Sequence, residues 1–234
     1  MCDLKVILGY NNGVARIEDL SNIFIGGSEG SGKSSYIKSL VGSLSYLNNP
    51  SNFNIKVYTK HNNPANISNL TVTSLDALRC DEDPNPNILH ELELVVRERR
   101  QHIKAGNVKP GEFKPIVFVY DSVYGDNDDH TTTNVIMEAI VYSRQINVHL
   151  IFADYVGVKW EEPIIDIFPV RIALSCDSNT SKRLVKTTIA ASNDFRNRWK
   201  MAMIKVGDDK PVSLSIPKPI EDQIEDLKNI INWR

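Results

Sequence analysis

The segment Gly27-Ser28-Glu29-Gly30-Ser31-Gly32-Lys33-Ser34 limits what this 234-residue chain can fold into more than any other. It satisfies Gly-x-x-x-x-Gly-Lys-Ser/Thr without a mismatch, and its flanks are those the pattern requires. The apolar run Ile23-Phe24-Ile25 precedes it, and the helix-prone Ser35-Tyr36-Ile37-Lys38-Ser39-Leu40 follows. Glycines at these spacings let the backbone curl until its N–H groups converge at a helix start, where the helix dipole favours an anion. Lys33 is then placed to reach the β- and γ-phosphates of a nucleotide, and Ser34 to offer its hydroxyl to Mg²⁺. With average residue frequencies, such a match arises by chance in roughly 1% of chains this long. The segment is therefore read as a phosphate loop for ATP and Mg²⁺, formed by Gly27, Ser28, Glu29, Gly30, Ser31, Gly32, Lys33, Ser34 and Ser35. Glu29 adds a negative charge that slightly weakens phosphate affinity.

The rest of the chain alternates strand and helix patterns. Two-residue alternation and short apolar runs predict strands over residues 4–8, 22–25, 54–58, 115–120, 148–153, 170–176 and 201–206. Helical spacing predicts helices over 34–47, 87–105, 132–145 and 221–232. Segments rich in Asn, Asp, Gly or Pro, at 48–52, 61–69, 81–87, 106–114 and 125–130, read as loops. This order predicts an α/β fold, a mostly parallel central sheet with helices on both faces. Without a repeat, linker or low-complexity tail, residues 1–234 read as one domain.

A nucleotide site of this kind needs an acid at the end of a second apolar strand. Ile116-Val117-Phe118-Val119-Tyr120-Asp121 supplies it, and Asp121 is expected to hold Mg²⁺ opposite Ser34. The next residue is Ser122, where many phosphate-loop motors carry a glutamate that polarises the attacking water. Loss of a general base costs about 10²–10⁴ in rate, roughly 3–5 kcal/mol of barrier. Binding should survive and hydrolysis should be slow unless another carboxylate substitutes. Asp126, Asp128, Asp129 and Asp154 are the nearby candidates. Asp154-Tyr155 also ends a third apolar strand, where a polar group can sense the γ-phosphate or simply close the strand.

These pieces, in this order, resemble the FtsK/SpoIIIE family of hexameric motor ATPases. The resemblance runs from Ile7-Leu8-Gly9 and Asp19-Leu20 through the phosphate loop to residues 147–153 and Phe168-Pro169-Val170-Arg171-Ile172-Ala173-Leu174, ending near Ser181-Lys182-Arg183. It implies a RecA-like fold, a ring of like or unlike subunits, and ATP hydrolysis coupled to movement of a polymer through the pore. By position it makes Asp121 the second acidic residue of the site and Arg171 a catalytic candidate, with Arg183 a weaker one. A surface salt bridge is the competing reading for Arg171. The departures are Ser122 for the catalytic glutamate, Asp154-Tyr155 for Thr-Gln, and Lys56-Val57-Tyr58-Thr59-Lys60 for a strand ending Asp-Pro-Lys.

Charge and composition leave the polymer open. A net charge of −2 argues against a general nucleic-acid coat, although basic clusters occur at Arg97-Glu98-Arg99-Arg100 and Arg196-Asn197-Arg198-Trp199-Lys200. The family prior favours double-stranded DNA, and translocation of DNA is the leading reading by a narrow margin. The missing glutamate favours the distal ATPase domains of type VII secretion coupling proteins, which this chain also resembles and which act on exported protein. A non-hydrolysing regulatory subunit is the third reading. Cys2, Cys80 and Cys176 have no metal-binding or disulfide spacing. The absence of a signal peptide and of any apolar run near 18 residues leads to an expected cytoplasmic location without direct membrane insertion, at a membrane only through a partner.

Overall fold

Runs of Ile, Val and Phe too apolar to face water on either side dictate the centre of this protein. The computed structural model describes residues 4–59, 75–79, 89–121, 130–154, 162–192 and 201–216. Within them the chain forms β1 (Lys5–Asn11), β2 (Val14–Asp19), β3 (Ile23–Gly26), β4 (Asn54–Thr59), β5 (Leu75–Arg79), β6 (Ile116–Asp121), β7 (Val148–Asp154), β8 (Val170–Ala173), β9 (Met201–Val206) and β10 (Val212–Ser215). They make one sheet in the order β2-β1-β10-β9-β8-β3-β7-β6-β4-β5. The six strands from β8 to β5 are mutually parallel. The remaining four add antiparallel to the β8 edge. Every residue of β3 and β6 is buried, as a parallel sheet covered on both faces requires.

The helices are α1 (Lys33–Leu47), α2 (His90–Lys104), α3 (His130–Ile146), α4 (Glu162–Asp166) and α5 (Ser178–Val185). Strand alternation distributes side chains between two cores. Ile23, Ile25, Val117, Val119 and Ile151 meet Tyr36, Ile37, Leu40 and Leu44 of α1. On the other face Phe24, Phe118, Tyr120 and Phe152 meet residues of the other four helices, including Leu92, Val96, Ile136, Ala139, Ile165 and Leu184. Aromatic rings run across this second face: Tyr58 to Tyr120 at 4.9 Å, Tyr120 to Phe152 at 5.2 Å, and Phe24 to Phe168 at 5.2 Å between centroids. Contacts of this kind are worth about 0.5–1.5 kcal/mol each beyond the area they bury.

Polar groups fix α1 against β1. The Tyr36 hydroxyl donates to the Leu8 carbonyl, and burial pushes its phenol far above the ordinary value. Ser43 Oγ accepts from the Ile7 N–H at 3.0 Å and donates to the Leu40 carbonyl at 2.8 Å. At the end of α1, Asn48 Oδ1 accepts from the Lys5 N–H at 2.8 Å while its amide donates to the Lys5 and Leu44 carbonyls. The helix that carries the phosphate loop is therefore tied to the sheet along its whole length.

Several expectations need adjusting. Residues 14–19 form β2, which the strand pattern missed, and β1 runs on to Asn11. The two are joined by Asn12 and Gly13, at φ 50° and 82°, an Asn-Gly turn of the kind that matches hairpin twist. The expected 170–176 strand stops at Ala173, because the following residues bend toward the phosphate loop. The α5 helix was also missed. Its start is marked by Asp177, whose side chain accepts from the Thr180 N–H at 2.9 Å. β5 and β10 were not expected either, and the loop expected to end at residue 130 gives way to α3 there. The expected helix over 221–232 and the loops over 61–69 and 81–87 lie outside the described residues. Among the described residues no helix is long and apolar enough to cross a membrane.

The first basic cluster is consumed by the fold. Arg97 pairs with Glu93 at 2.7 Å, and Arg100 pairs with Glu138 at 2.8 Å and lies over the Tyr142 ring. Arg99 donates to the carbonyls of Ile146, Asn147 and Lys114. Arg99 and Arg100 thus lash α2 to α3 and to the segment before β6, while the exposed Arg97 pair stays within α2. The second cluster, 196–200, lies outside the described residues.

Candidate nucleotide site

β3 ends at Gly26 and α1 begins at Lys33, so residues 27–32 must reverse the chain within a few ångströms. Gly30 and Gly32 adopt φ 72° and 92°, which side chains with a Cβ rarely take. At Gly27 the constraint is space. A Cβ there would lie 2.4 Å from Ser31 Oγ and 3.1 Å from Leu174 Cβ. The Ser28 N–H donates to the Ser175 carbonyl at 2.9 Å, and the Leu174 N–H donates to the Gly26 carbonyl at 2.9 Å. The chain leaving β8 therefore forms one wall of the loop, a role that alternation alone gave no reason to suspect.

The loop opens onto the N-terminus of α1. The first rung of that helix is the Tyr36 N–H to the Gly32 carbonyl at 2.9 Å, so the N–H groups of Lys33, Ser34 and Ser35 lie ahead of the intrahelical ladder. Its first turn carries no acidic side chain to answer the dipole. Ser31 Oγ is buried without a hydrogen-bond partner among the described residues. A tight glycine curl, an unanswered helix N-terminus and a buried orphan hydroxyl are what a phosphate chain would satisfy. The residues fit a nucleoside triphosphate.

Lys33 Nζ donates to the carbonyls of Gly27 and Ser28, each at 2.9 Å. Burial pulls its ammonium below the ordinary lysine value, while the charges of Asp154, Asp121 and Glu29 oppose the fall. Those three carboxylates come from three different parts of the chain. Asp121 ends β6 at 2% exposure, and shares the α1 side of its strand with Val117 and Val119. It stands in register with Ala153 of β7, and Asp154 stands in register with Gly26. Glu29 is exposed on the loop itself. The site thus lies at the carboxyl ends of adjacent parallel strands, the usual ligand crevice of such sheets.

Arg171 lies elsewhere. It stands in register with Phe24 in β8, between Val170 and Ile172, which face the α1 core, so its side chain is on the opposite face. It is 6% exposed, and its guanidinium pairs with Asp166, which also holds Lys186. Arg171 thus takes the salt-bridge place among the described residues, away from the phosphate loop. Arg183 is half-buried in the last turn of α5. Ser122, Asp126, Asp128, Asp129 and Tyr155 lie outside the described residues.

No protein-family model matches the chain, and no curated protein matches it in sequence. Solved structures do match its fold. The cytoplasmic domain of the Thermomonospora curvata type VII secretion ATPase EccC aligns with 92% of this chain at 15% identity and a TM-score of 0.73. A structure of ATPases 2 and 3 of the same EccC, in complex with a signal sequence peptide, aligns with 97% at 15% identity and a TM-score of 0.72. The alignments span 28% and 47% of those two chains. The pCW3 conjugation coupling protein TcpA, in its monomer form with ATPγS, aligns with 97% of this chain and 70% of its own at 18% identity and a TM-score of 0.65. The chain spans between about a quarter and a half of the EccC structures it matches. In fold, this chain is a P-loop α/β domain similar to the ATPase domains of secretion and conjugation coupling proteins, as its FtsK/SpoIIIE-like motifs lead one to expect.

Proposed function

We propose that this domain binds ATP with Mg²⁺ between β3 and α1 and serves as the nucleotide-driven unit of a translocating ATPase assembly. The observation that carries the reading is that Lys33, at the start of α1, lies in the field of Asp121 and Asp154, which end the neighbouring strands β6 and β7 beside the glycine loop. The N–H groups of the loop and of Lys33, Ser34 and Ser35 would bind phosphate oxygens. Lys33 would exchange two carbonyl acceptors for charged phosphate oxygens, which adds an ion pair to the hydrogen bond. Ser34 and Asp121 would hold Mg²⁺, which supplies positive charge to the phosphates when bound. Gly27 through Gly32 shape the cradle.

For the polymer, we infer exported protein, on two supports. In the described one of the two basic clusters, Arg99 and Arg100 are occupied in helix packing and Arg97 in an exposed pair with Glu93. The likeness to an EccC structure holding a signal sequence peptide supports the same choice. Double-stranded DNA is the second reading, supported by the likeness to a conjugation coupling protein. In either case the unit is read as one domain working in a cytoplasmic ring of like or unlike subunits, reaching a membrane only through a partner.

The test is ATP affinity of the native chain against Lys33→Ala. Loss of one charged hydrogen-bond donor, about 1.5–3 kcal/mol, corresponds to affinity about 10- to 100-fold weaker. Equal affinity in the two proteins refutes the reading. Turnover stimulated by a secretion-signal peptide supports the protein assignment, and stimulation by double-stranded DNA alone replaces it with the second.

A further inference from the structure

The sequence places serine where the water-polarising glutamate of related motors stands, directly after Asp121. Resting on the nucleotide reading above, we propose that Asp154 is the carboxylate that polarises the attacking water in this chain.

Three observations lead to it. β7 lies between the phosphate-loop strand β3 and the Asp121 strand β6. Asp154 is the last residue of β7, in register with Gly26, the residue immediately before the loop. Its neighbour Ala153 is in register with Asp121. Asp154 therefore stands one residue beyond Asp121 along the strand direction, beside the loop. The electrostatics agree with that placement. Of the carboxylate charges that oppose the desolvation of Lys33, that of Asp154 is the strongest, ahead of Asp121 and Glu29. Because Lys33 is the side chain that reaches the γ-phosphate in this motif, a carboxylate so coupled to it borders the place where water must attack.

Among the described carboxylates around Lys33, the other two are unsuited to the task. Glu29 is exposed on the loop. Asp121 is almost fully buried and is the acid opposite Ser34 that Mg²⁺ requires. Asp154 is half-buried, open enough to meet water and sheltered enough to orient it. In the step itself, the water oxygen forms a bond to the γ-phosphorus. The bond from that phosphorus to the bridging oxygen breaks, its electron pair leaving with ADP. The water proton passes to the Asp154 carboxylate and from there to the phosphate product.

The experiment compares the native chain, Asp154→Asn, Asp154→Glu and Lys33→Ala. Each is assayed for ATP turnover, with and without peptide and double-stranded DNA, and for Mg²⁺-dependent affinity by fluorescence of a labelled ATP. Asp154→Asn should lose about 10²–10⁴-fold in kcat, with nucleotide affinity and melting temperature little changed. Asp154→Glu, which keeps the carboxylate, should fall between the two. Native turnover retained in Asp154→Asn overturns the proposal, as does a native chain that binds ATP and never turns it over. A native chain that fails to bind ATP at all instead overturns the nucleotide reading, so the two failures are distinguishable.

Discussion

Arg99 separates a structural from a nucleic-acid role for the basic stretch of α2. Its Nη1 donates to the carbonyls of Ile146 at 2.7 Å and Asn147 at 3.0 Å, and its Nη2 to that of Lys114 at 2.9 Å. The first two acceptors close α3, where the helix dipole is negative. The guanidinium also sits 4.9 Å from the centre of the Phe113 ring. Burial lowers its pKa to about 10, so it keeps its charge at neutral pH. Hydrogen bonds from a charged donor contribute about 1.5–3 kcal/mol each when well shielded. The bond to Lys114 is exposed and counts for little, and the ring contact adds about 0.5–1 kcal/mol. Allowing for half-exposure, Arg99→Ala should destabilise the protein by about 3 kcal/mol. That is a large share of the 5–15 kcal/mol typical of a folded domain. For a chain of this size it lowers Tm by roughly 6–12 °C. Urea unfolding should show a lower midpoint at unchanged slope. The salt dependence of any DNA binding should stay the same, because no phosphate contact is lost. A loss below about 1 kcal/mol, or weakened DNA binding at unchanged stability, would refute the structural role.

Two further changes probe the frame of the site. Gly9 lies at the irregular register between β1 and β2, and a Cβ there would come within 2.8 Å of both Leu214 Cβ and the Ser215 carbonyl. Gly9→Ala should cost about 1–3 kcal/mol by overpacking, read as a lower urea midpoint, and an unchanged midpoint would show that β10 gives way freely. Glu91 is pushed up by burial, but hydrogen bonds from Lys56 and Tyr58 and the Lys56 charge outweigh this and hold it below the ordinary value of 4.5. A depressed carboxyl stabilises the fold above its unfolded-state pKa and loses that contribution as pH falls through the folded value. The native chain should therefore lose stability more steeply than Lys56→Met as pH drops below about 4.5. Parallel acid profiles, followed by circular dichroism, would show the network to be idle.

The glycine-rich turn of residues 27–32 was legible in the sequence because its requirements are local. Gly27, Gly30 and Gly32 are needed by the backbone of the loop itself, and Lys33 and Ser34 follow in the same turn of chain. The central strands were legible for a related reason: burial on both faces leaves continuous apolar runs at β3, β6 and β7, and Asp121 stands out as the charge that ends one of them. Edge elements were harder to see. β2 carries Arg16 and Glu18 on a strand exposed to water, so burial imposes little pattern on it, and only the Asn12-Gly13 turn betrays it.

What no local pattern could supply was which distant residues face one another. The wall of the loop formed by Leu174 and Ser175, the grip of Asp166 on Arg171, and the use of Arg99 and Arg100 to bind α2 to α3 all depend on strand order and helix packing. A motif carries the chemistry of a side chain, but not the partner that will claim it. For Arg171 and Arg99 the partners are a carboxylate and carbonyl groups of the fold itself. The sequence alone determined the glycine-rich turn between β3 and α1, the α/β class and the carboxylate that ends β6. The order of the parallel strands decided that Asp154 would stand beside Gly26, because hydrogen-bonded register is a property of neighbouring strands and not of either one alone.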